Sequence, residues 1–413
     1  MNTAVATGKS AARDFRVATL LFLAGIMSLS PIFLYTPPVK GNVFSLLCIL
    51  LAFVFYKKMQ IKASTFLVVM LTLLLALLPA VYWFELKLLL LPIYFLSAVA
   101  IASRITEGER RSFVTLSSTI LLLVLIGCWI GFVYVFLGGE AIVSFPNEDG
   151  RMNGWYLTTL SNSKVLRVIR PCGIFDEPGT LSFVTCMIAA LRHTLKMDRR
   201  RTWMLLGLGL ITLSVAHLFY AALHLAAELK KSTGKALKYV VLIGGLASVA
   251  VLFIPAVLEI LSNNLFQRFV LQDGQFAGDN RSQLLLVALN YLDGRVFLWG
   301  LDVDCVTNAA ACISKGYLQF GENPLAPLVL YGIFLSWPYY VLQGLLLAVF
   351  VVRLNFIALA IFALLLQRPS MMAFGYALLV AIAVLPILPA LFKRSSTTRQ
   401  GRGVLLQSTS PGP

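Results

Sequence analysis

Residues 114–137 read VTLSSTILLLVLIGCWIGFVYVFL, and residues 65–84 read TFLVVMLTLLLALLPAVYWF. Neither run carries a charged side chain, and each supplies the roughly 20 apolar residues that a helix needs to cross a bilayer. Lipid offers backbone N–H and C=O groups no partners, so a helix, which bonds them internally, is the economical structure for such a run. Strands of a membrane barrel would alternate apolar and polar residues, and these runs do not. Working outward, further segments of the same character lie near 17–36, 42–56, 87–102, 173–191, 239–258, 324–352 and 371–392. The whole composition agrees. Of 413 residues 59% are hydrophobic and only 13% charged, with a mean hydropathy of +0.85, where a soluble domain carries about 25% charged residues. The expectation is an all-α polytopic membrane protein, with residues 1–413 forming a single integral membrane domain.

Two regions leave the number of crossings open. Residues 203–228 suit either one long helix or a hairpin of two short ones hinged near Ser214, and the apolar run 354–366 is short and is interrupted by Gln367-Arg368-Pro369-Ser370. Charge placement decides between them. With a hairpin at 203–228 and a crossing at 354–366, 23 of the 34 Lys and Arg residues fall on one side. A single span at 203–228 inverts everything after it and blurs that bias. Basic residues concentrate on the cytoplasmic side of membrane proteins, so the hairpin is preferred, with about twelve segments, two of them short, and both termini in the cytoplasm. The net charge of +16 therefore reads as an orientation signal rather than as a nucleic-acid surface. The first apolar run follows Lys9, Arg13 and Arg16 and is long enough to remain as an anchor, so no cleaved signal peptide is expected.

This topology leaves two large loops on the outer side, 138–172 and 259–323. No cytoplasmic loop approaches the size of a nucleotide-binding domain, on the order of 100 residues. That excludes an ATP-driven pump or a nucleotide-sugar enzyme with its own soluble domain. Of six cysteines, Cys305 and Cys312 share the second outer loop, where an oxidising compartment would join them; Cys48, Cys128, Cys172 and Cys186 lie in or near apolar segments. No metal site and no cofactor are expected. The pair Asp302 and Asp304 has the spacing of a metal-binding carboxylate couple, but such a triplet is common by chance, and His193 and His224 fall towards the cytoplasmic side and are discounted.

Chemistry-bearing residues gather at loop-to-helix boundaries. In Arg167-Val168-Ile169-Arg170-Pro171-Cys172-Gly173-Ile174-Phe175-Asp176-Glu177-Pro178-Gly179, two arginines and two carboxylates meet the outer end of an apolar segment, where charges are costly unless paired or used. Pro178 suits a first helical turn, which sets Asp176 and Glu177 at or just before the helix start. Two readings stand: a helix N-terminus with guanidinium groups beside it, able to hold phosphate, or a carboxylate that caps the helix while the arginines reach for headgroups. The second cluster is Arg268 with Asp279-Asn280-Arg281-Ser282, where a loop salt bridge competes with a phosphate-binding role for the arginines. His217, near the expected hairpin tip, reads either as a base or as a packing residue. Arg368 reads as a cavity-facing cation or as an interface marker.

The run Arg170 to Gly179 resembles the signature of Wzy-type O-antigen and exopolysaccharide polymerases. The hairpin around Leu213-Ser214, Asn280-Arg281, Trp299-Gly300 and the stretch Pro324 to Gly332 are similar to the wider O-antigen ligase/polymerase superfamily. The likeness covers roughly residues 160–370. It departs from the ligase branch, which often has Arg after the hairpin serine where this chain has Val215, and which tends to have Asn after Pro where this chain has Gly179. The resemblance implies a GT-C-like, metal-independent glycosyltransferase of the bacterial inner membrane. Its substrate would be undecaprenyl-diphosphate-linked oligosaccharide, polymerised at the periplasmic face, alongside a chain-length regulator and a flippase. Under that resemblance Arg170 and Arg281 hold the diphosphate with Arg268 as a third cation, Glu177 is the general base and Asp176 orients the arginines. Arg167, Asn280, His217 and Arg368 complete the candidate substrate site.

Overall fold

In a computed structural model of the chain, residues 2–35, 41–54, 63–146, 152–165, 168–231, 271–272, 275–276, 280–307, 312, 314–317, 323–369 and 374–391 are described. The helices, in chain order, are α1 (Asn2–Leu29), α2 (Pro31–Tyr35), α3 (Gly41–Val54), α4 (Ala63–Tyr82), α5 (Leu90–Arg104) and α6 (Glu107–Phe136). After them come α7 (Pro178–Thr194), α8 (Arg199–Gly209), α9 (Val215–Lys231), α10 (Asn280–Tyr291), α11 (Gly294–Trp299) and α12 (Val303–Thr307). The last three are α13 (Ala326–Arg353), α14 (Phe356–Gln367) and α15 (Phe374–Val384). Among the described residues four stretches are long and apolar enough to cross a membrane: Leu86–Arg104, Glu107–Phe136, Ala326–Arg353 and Phe374–Leu391. Shorter apolar helices stand beside them at Val43–Ala52, Val69–Tyr82 and Phe356–Gln367. The expected span 239–258 lies outside the described residues.

Side-chain contacts fix the direction of several helices. At one end Arg13 of α1 meets Glu109 of α6, Arg111 donates to the Leu195 carbonyl just past α7, and Lys230 of α9 donates to the carbonyls of Arg353 and Leu354. Arg353 in turn reaches the Ala390 carbonyl. At the other end Ser30, just past α1, donates to the Ile174 carbonyl, and Trp83, just past α4, donates to the Trp299 carbonyl. The chain therefore runs back and forth between a basic end and an opposite end. The described chain starts and finishes at the basic end.

The region 203–228 is a hairpin. The start of α8 lies against the finish of α9, with Arg199 Nε 3.1 Å from Glu228 Oε2 and Trp203 edge-on to His224. The break is a 3-10 turn over Leu210–Thr212, followed by Leu213 at φ 49°.

The 138–172 stretch departs from a plain loop. Strands β1 (Val143–Pro146), β2 (Met152–Tyr156) and β3 (Thr159–Ser161) form an antiparallel meander in that order, and β4 (Lys164–Val165) pairs with β5 (Val168–Ile169). These strands make the second end a sheet end; in the later stretch, among the described residues, β6 (Leu271–Gln272) pairs with β7 (Gln275–Phe276). Helix boundaries also differ from the apolar runs. The segment expected from 173 becomes helical only at Pro178. The 324–352 segment is kinked at Gly332, whose φ of 65° no helix contains. A Cβ there would lie 2.3 Å from the Leu298 carbonyl oxygen, so only glycine lets α13 accept the end of α11. The 371–392 segment leaves the α-helix at Val384, because Pro386 and Pro389 cannot continue the hydrogen-bond ladder.

Between helices in lipid, association rests on close packing and hydrogen bonds rather than on the hydrophobic effect. The crossing of α1 and α15 shows both. The Gly375 N–H donates to Ser28 Oγ, and Ser28 Oγ donates to the Gly25 carbonyl. Apolar side chains such as Val54, Leu67, Leu74 and Leu123 point outward and exposed, while α7 is buried along almost its whole length. An exposed apolar belt around a packed interior is what a lipid-embedded bundle requires.

Candidate active site

The turn before α7 is held by the sheet. The Cys172 N–H donates to the Leu160 carbonyl, and the Leu160 N–H to the Gly173 carbonyl. Gly173 has φ +65°, and a Cβ on it would lie 2.4 Å from Val124. Phe175 is buried beyond it, and the chain emerges at Asp176 and Glu177. Pro178 occupies the first turn and Glu177 is the N-cap residue. The Glu177 side chain nevertheless makes no capping bond, and it accepts from Arg368 instead, Nη2 to Oε2 at 2.5 Å.

Arg368 comes from the break after α14, some 190 residues along the chain. Its guanidinium also donates through Nη1 to Thr180 Oγ1 at 2.9 Å, and Thr180 Oγ1 donates to Asp176 Oδ1 at 2.8 Å. Tyr376 donates its hydroxyl proton to the Arg368 carbonyl, and Asn162 Nδ2 donates to the Asp176 carbonyl at 3.0 Å. The guanidinium lies against Gly179, where a Cβ would approach Nη2 to 2.3 Å. Burial raises the pKa of Asp176, and Arg368 and the Thr180 hydroxyl draw it back down. The Arg368 side chain is 9% exposed and that of Glu177 22%, so the carboxylate is the member of the pair open to an incoming molecule.

Arg170, expected at a diphosphate, donates through Nε and Nη2 to the Thr212 carbonyl and through Nη2 also to that of Leu213, each at 3.4 Å. A cation suits the carbonyl end of a helix that stops short, so Arg170 ties the sheet end of the loop to the hairpin tip. Asp176 orients Arg368 through Thr180 rather than Arg170. His217 is no base at the tip. It is fully buried, with Nε2 2.8 Å from the Leu206 carbonyl and Nδ1 3.4 Å from Cys186 Sγ. Its ring fills the slot beside Gly209, where a Cβ would lie 2.3 Å from Cε1. Arg167 and Arg268 lie outside the described residues. Asn280 and Arg281 open α10, but their side chains lie outside the described set. Later in that helix Ala288 packs with Val329, on the half of α13 that faces the sheet end.

Cys305 and Cys312 form a disulfide with Cα atoms 4.5 Å apart. Asp302 and Asp304 hold the Lys315 ammonium, at 3.0 and 2.6 Å, and their hydrogen bonds raise its pKa; the pair is an ion-pair clamp. Trp299 stacks on Tyr82 with centroids 4.6 Å apart, and Arg295 lies over the Trp83 ring. The residues that sequence reasoning missed are Thr180, Tyr376 and Asn162. Only Thr180 left a trace, as the i+4 neighbour of Asp176 at a helix start. Compared with protein-family profiles, with curated proteins and with solved structures, the chain matches none.

Proposed function

We propose that the protein is a glycosyltransferase that polymerises undecaprenyl-diphosphate-linked oligosaccharide repeat units into a surface polysaccharide, at the periplasmic face of the bacterial inner membrane. The observation that carries this reading is the partly open Glu177 carboxylate held by a buried guanidinium at a loop-to-helix junction. In the proposed orientation the basic end faces the cytoplasm, as the distribution of Lys and Arg favours, and the sheet end faces outward.

The acceptor sugar hydroxyl gives its proton to Glu177 as its oxygen bonds the anomeric carbon of the donor glycan. The bond from that carbon to the diphosphate breaks, and the diphosphate leaves as an anion. Protonation of Glu177 removes the negative charge facing Arg368 at the moment when negative charge develops on the leaving group. A cation whose partner is neutralised in step with the reaction favours the transition state over the ground state. Asp176 and Thr180 keep the guanidinium in place throughout. In this reading Arg281 and Arg268, from the second large loop, supply further cations for the diphosphate.

The nearer alternative is an O-antigen ligase, which takes the same donor but transfers the glycan to lipid A core. A flippase for the same units is more distant, because transporters place ionisable groups near the bilayer midplane, and here the carboxylates and guanidinium sit at one end of the bundle. The test is the surface-polysaccharide pattern of a deletion strain carrying wild-type, Glu177→Gln or Arg368→Ala protein, with membrane insertion checked in parallel. A polymerase leaves single repeat units on lipid A core when lost, a ligase leaves none. Full-length polymer from both variants would remove this site from the reaction. Elongation of lipid-linked units by purified protein separates an enzyme from a flippase.

A further inference from the structure

At the basic end, away from the site above, His193, His224 and Glu228 come together. We propose that these three side chains bind a divalent transition-metal ion of the zinc class. His193 lies in the last turn of α7, while His224 and Glu228 are four residues apart on α9 and so share one helix face. One ligating atom from each lies within 4.8 Å of the others. The enclosure separates this trio from the acidic and histidine clusters common on surfaces: His193 and Glu228 side chains are each 9% exposed and His224 is buried.

The donor set is chemically suited. Two imidazoles and one carboxylate match zinc, and three protein ligands leave a fourth position for water or another small ligand. The ring of His224 is held on its Nδ1 side by the Tyr220 hydroxyl at 3.2 Å, the kind of outer bond that fixes a ligating imidazole. A cavity of about 420 Å³ adjoins the trio, lined also by Lys196, Arg199, Thr202 and Trp203, so an ion can enter and keep a water.

Two cations work against the ion. Arg199 Nε lies 3.1 Å from Glu228 Oε2, and Lys196 lines the same cavity. The Arg199 side chain is 57% exposed and can turn to solvent, which makes it the competitor of a metal for the Glu228 carboxylate. His193 Nδ1 meets Glu228 Oε1 at 2.9 Å; an ion entering between them would replace that bond and tie the end of α7 to α9.

The experiment is titration of cobalt(II), as a coloured substitute for zinc, into the full-length protein purified in detergent without a polyhistidine tag, followed by visible absorption and calorimetry. The expected result is uptake of one equivalent, a rise in melting temperature with metal, and affinity at least about tenfold weaker in His224→Ala and in Glu228→Gln. Arg199→Ala, at an exposed position where substitutions cost little, should bind cobalt more tightly than wild type. No stoichiometric uptake, uptake unchanged in the His224 and Glu228 variants, or equal or weaker binding by Arg199→Ala each overturns the proposal, leaving a hydrogen-bonded latch between α7, α8 and α9.

Discussion

The sheet end and the basic end each set a carboxylate against an arginine, with opposite division of exposure. At the sheet end Arg368 is enclosed and Glu177 is the more open partner. At the basic end Glu228 is enclosed and Arg199 is mostly exposed. Burying the cation and leaving the acid accessible suits a carboxylate that must meet a substrate. Burying the acid between two imidazoles and leaving the cation free to swing suits a carboxylate that exchanges one positive partner for another. The lesson is that an ion pair is defined less by its distance than by which member solvent can reach.

The substitution expected to separate the two ends most strongly is Glu177→Ala. It should lower polymer formation by about a hundredfold to a thousandfold, the cost of losing a group that acts in the transition state, while the protein still inserts. Arg368→Ala should match it, and the double variant should be little worse than either single one, because the two act as a unit. Additive losses, measured as elongation rates on lipid-linked units, would split the pair. Next in size is Gly179→Ala. The added methyl would push on the guanidinium at Nη2 and Nε, and because an arginine end can yield, the expected loss is nearer tenfold; an unchanged rate would show that the guanidinium's position does not matter.

How much of this was legible in the residues differs by region. The apolar runs are local patterns, and among the described residues helices sit where those runs lie. The break near Ser214 was also legible, from charge bias summed over the whole chain, and so was the Pro178 helix start, from proline chemistry that acts over a few residues. The Arg170–Gly179 run contains Glu177 and Asp176 but not the guanidinium that Glu177 meets. Arg368 reaches Glu177 through tertiary packing across 191 positions of chain, and no local spacing encodes that. The basic-end trio was missed for the same reason: His193 comes from a different helix from His224 and Glu228. Of the two readings open to His217 the packing one fits, because the missing side chain of Gly209 lets its ring turn inward. The kink at Gly332 was hidden because glycine inside an apolar run costs a helix only about 1 kcal/mol and gives no sign by itself that its φ is positive.

His217→Ala sharpens the comparison from the side of stability. It removes a buried ring bonded to the Leu206 carbonyl, which leaves a cavity and an unmet acceptor. The expected destabilisation is about 1–3 kcal/mol, seen as an earlier thermal transition in detergent. Activity per folded molecule should hold at low temperature, since the ring contacts neither Glu177 nor Arg368 among the bonds seen. A selective loss of turnover without loss of stability would return His217 to the site.

The smallest expected effect concerns Asp176. Burial raises its pKa in the folded protein above that of a free carboxyl, only partly countered by Arg368 and Thr180. A folded state that holds the proton more tightly than the unfolded chain gains stability below the unfolded carboxyl pKa, near 4. That contribution is then lost as pH rises through the folded value. Asp176→Asn keeps an oxygen to accept from Thr180 Oγ1 and abolishes the titration. The variant's advantage in melting temperature over wild type should therefore be larger at pH 7.5 than at pH 4.5. An advantage that grew towards acid instead would mean that the attraction of Arg368 outweighs burial, and Asp176 would then belong with Glu177 as a second charged partner of that guanidinium.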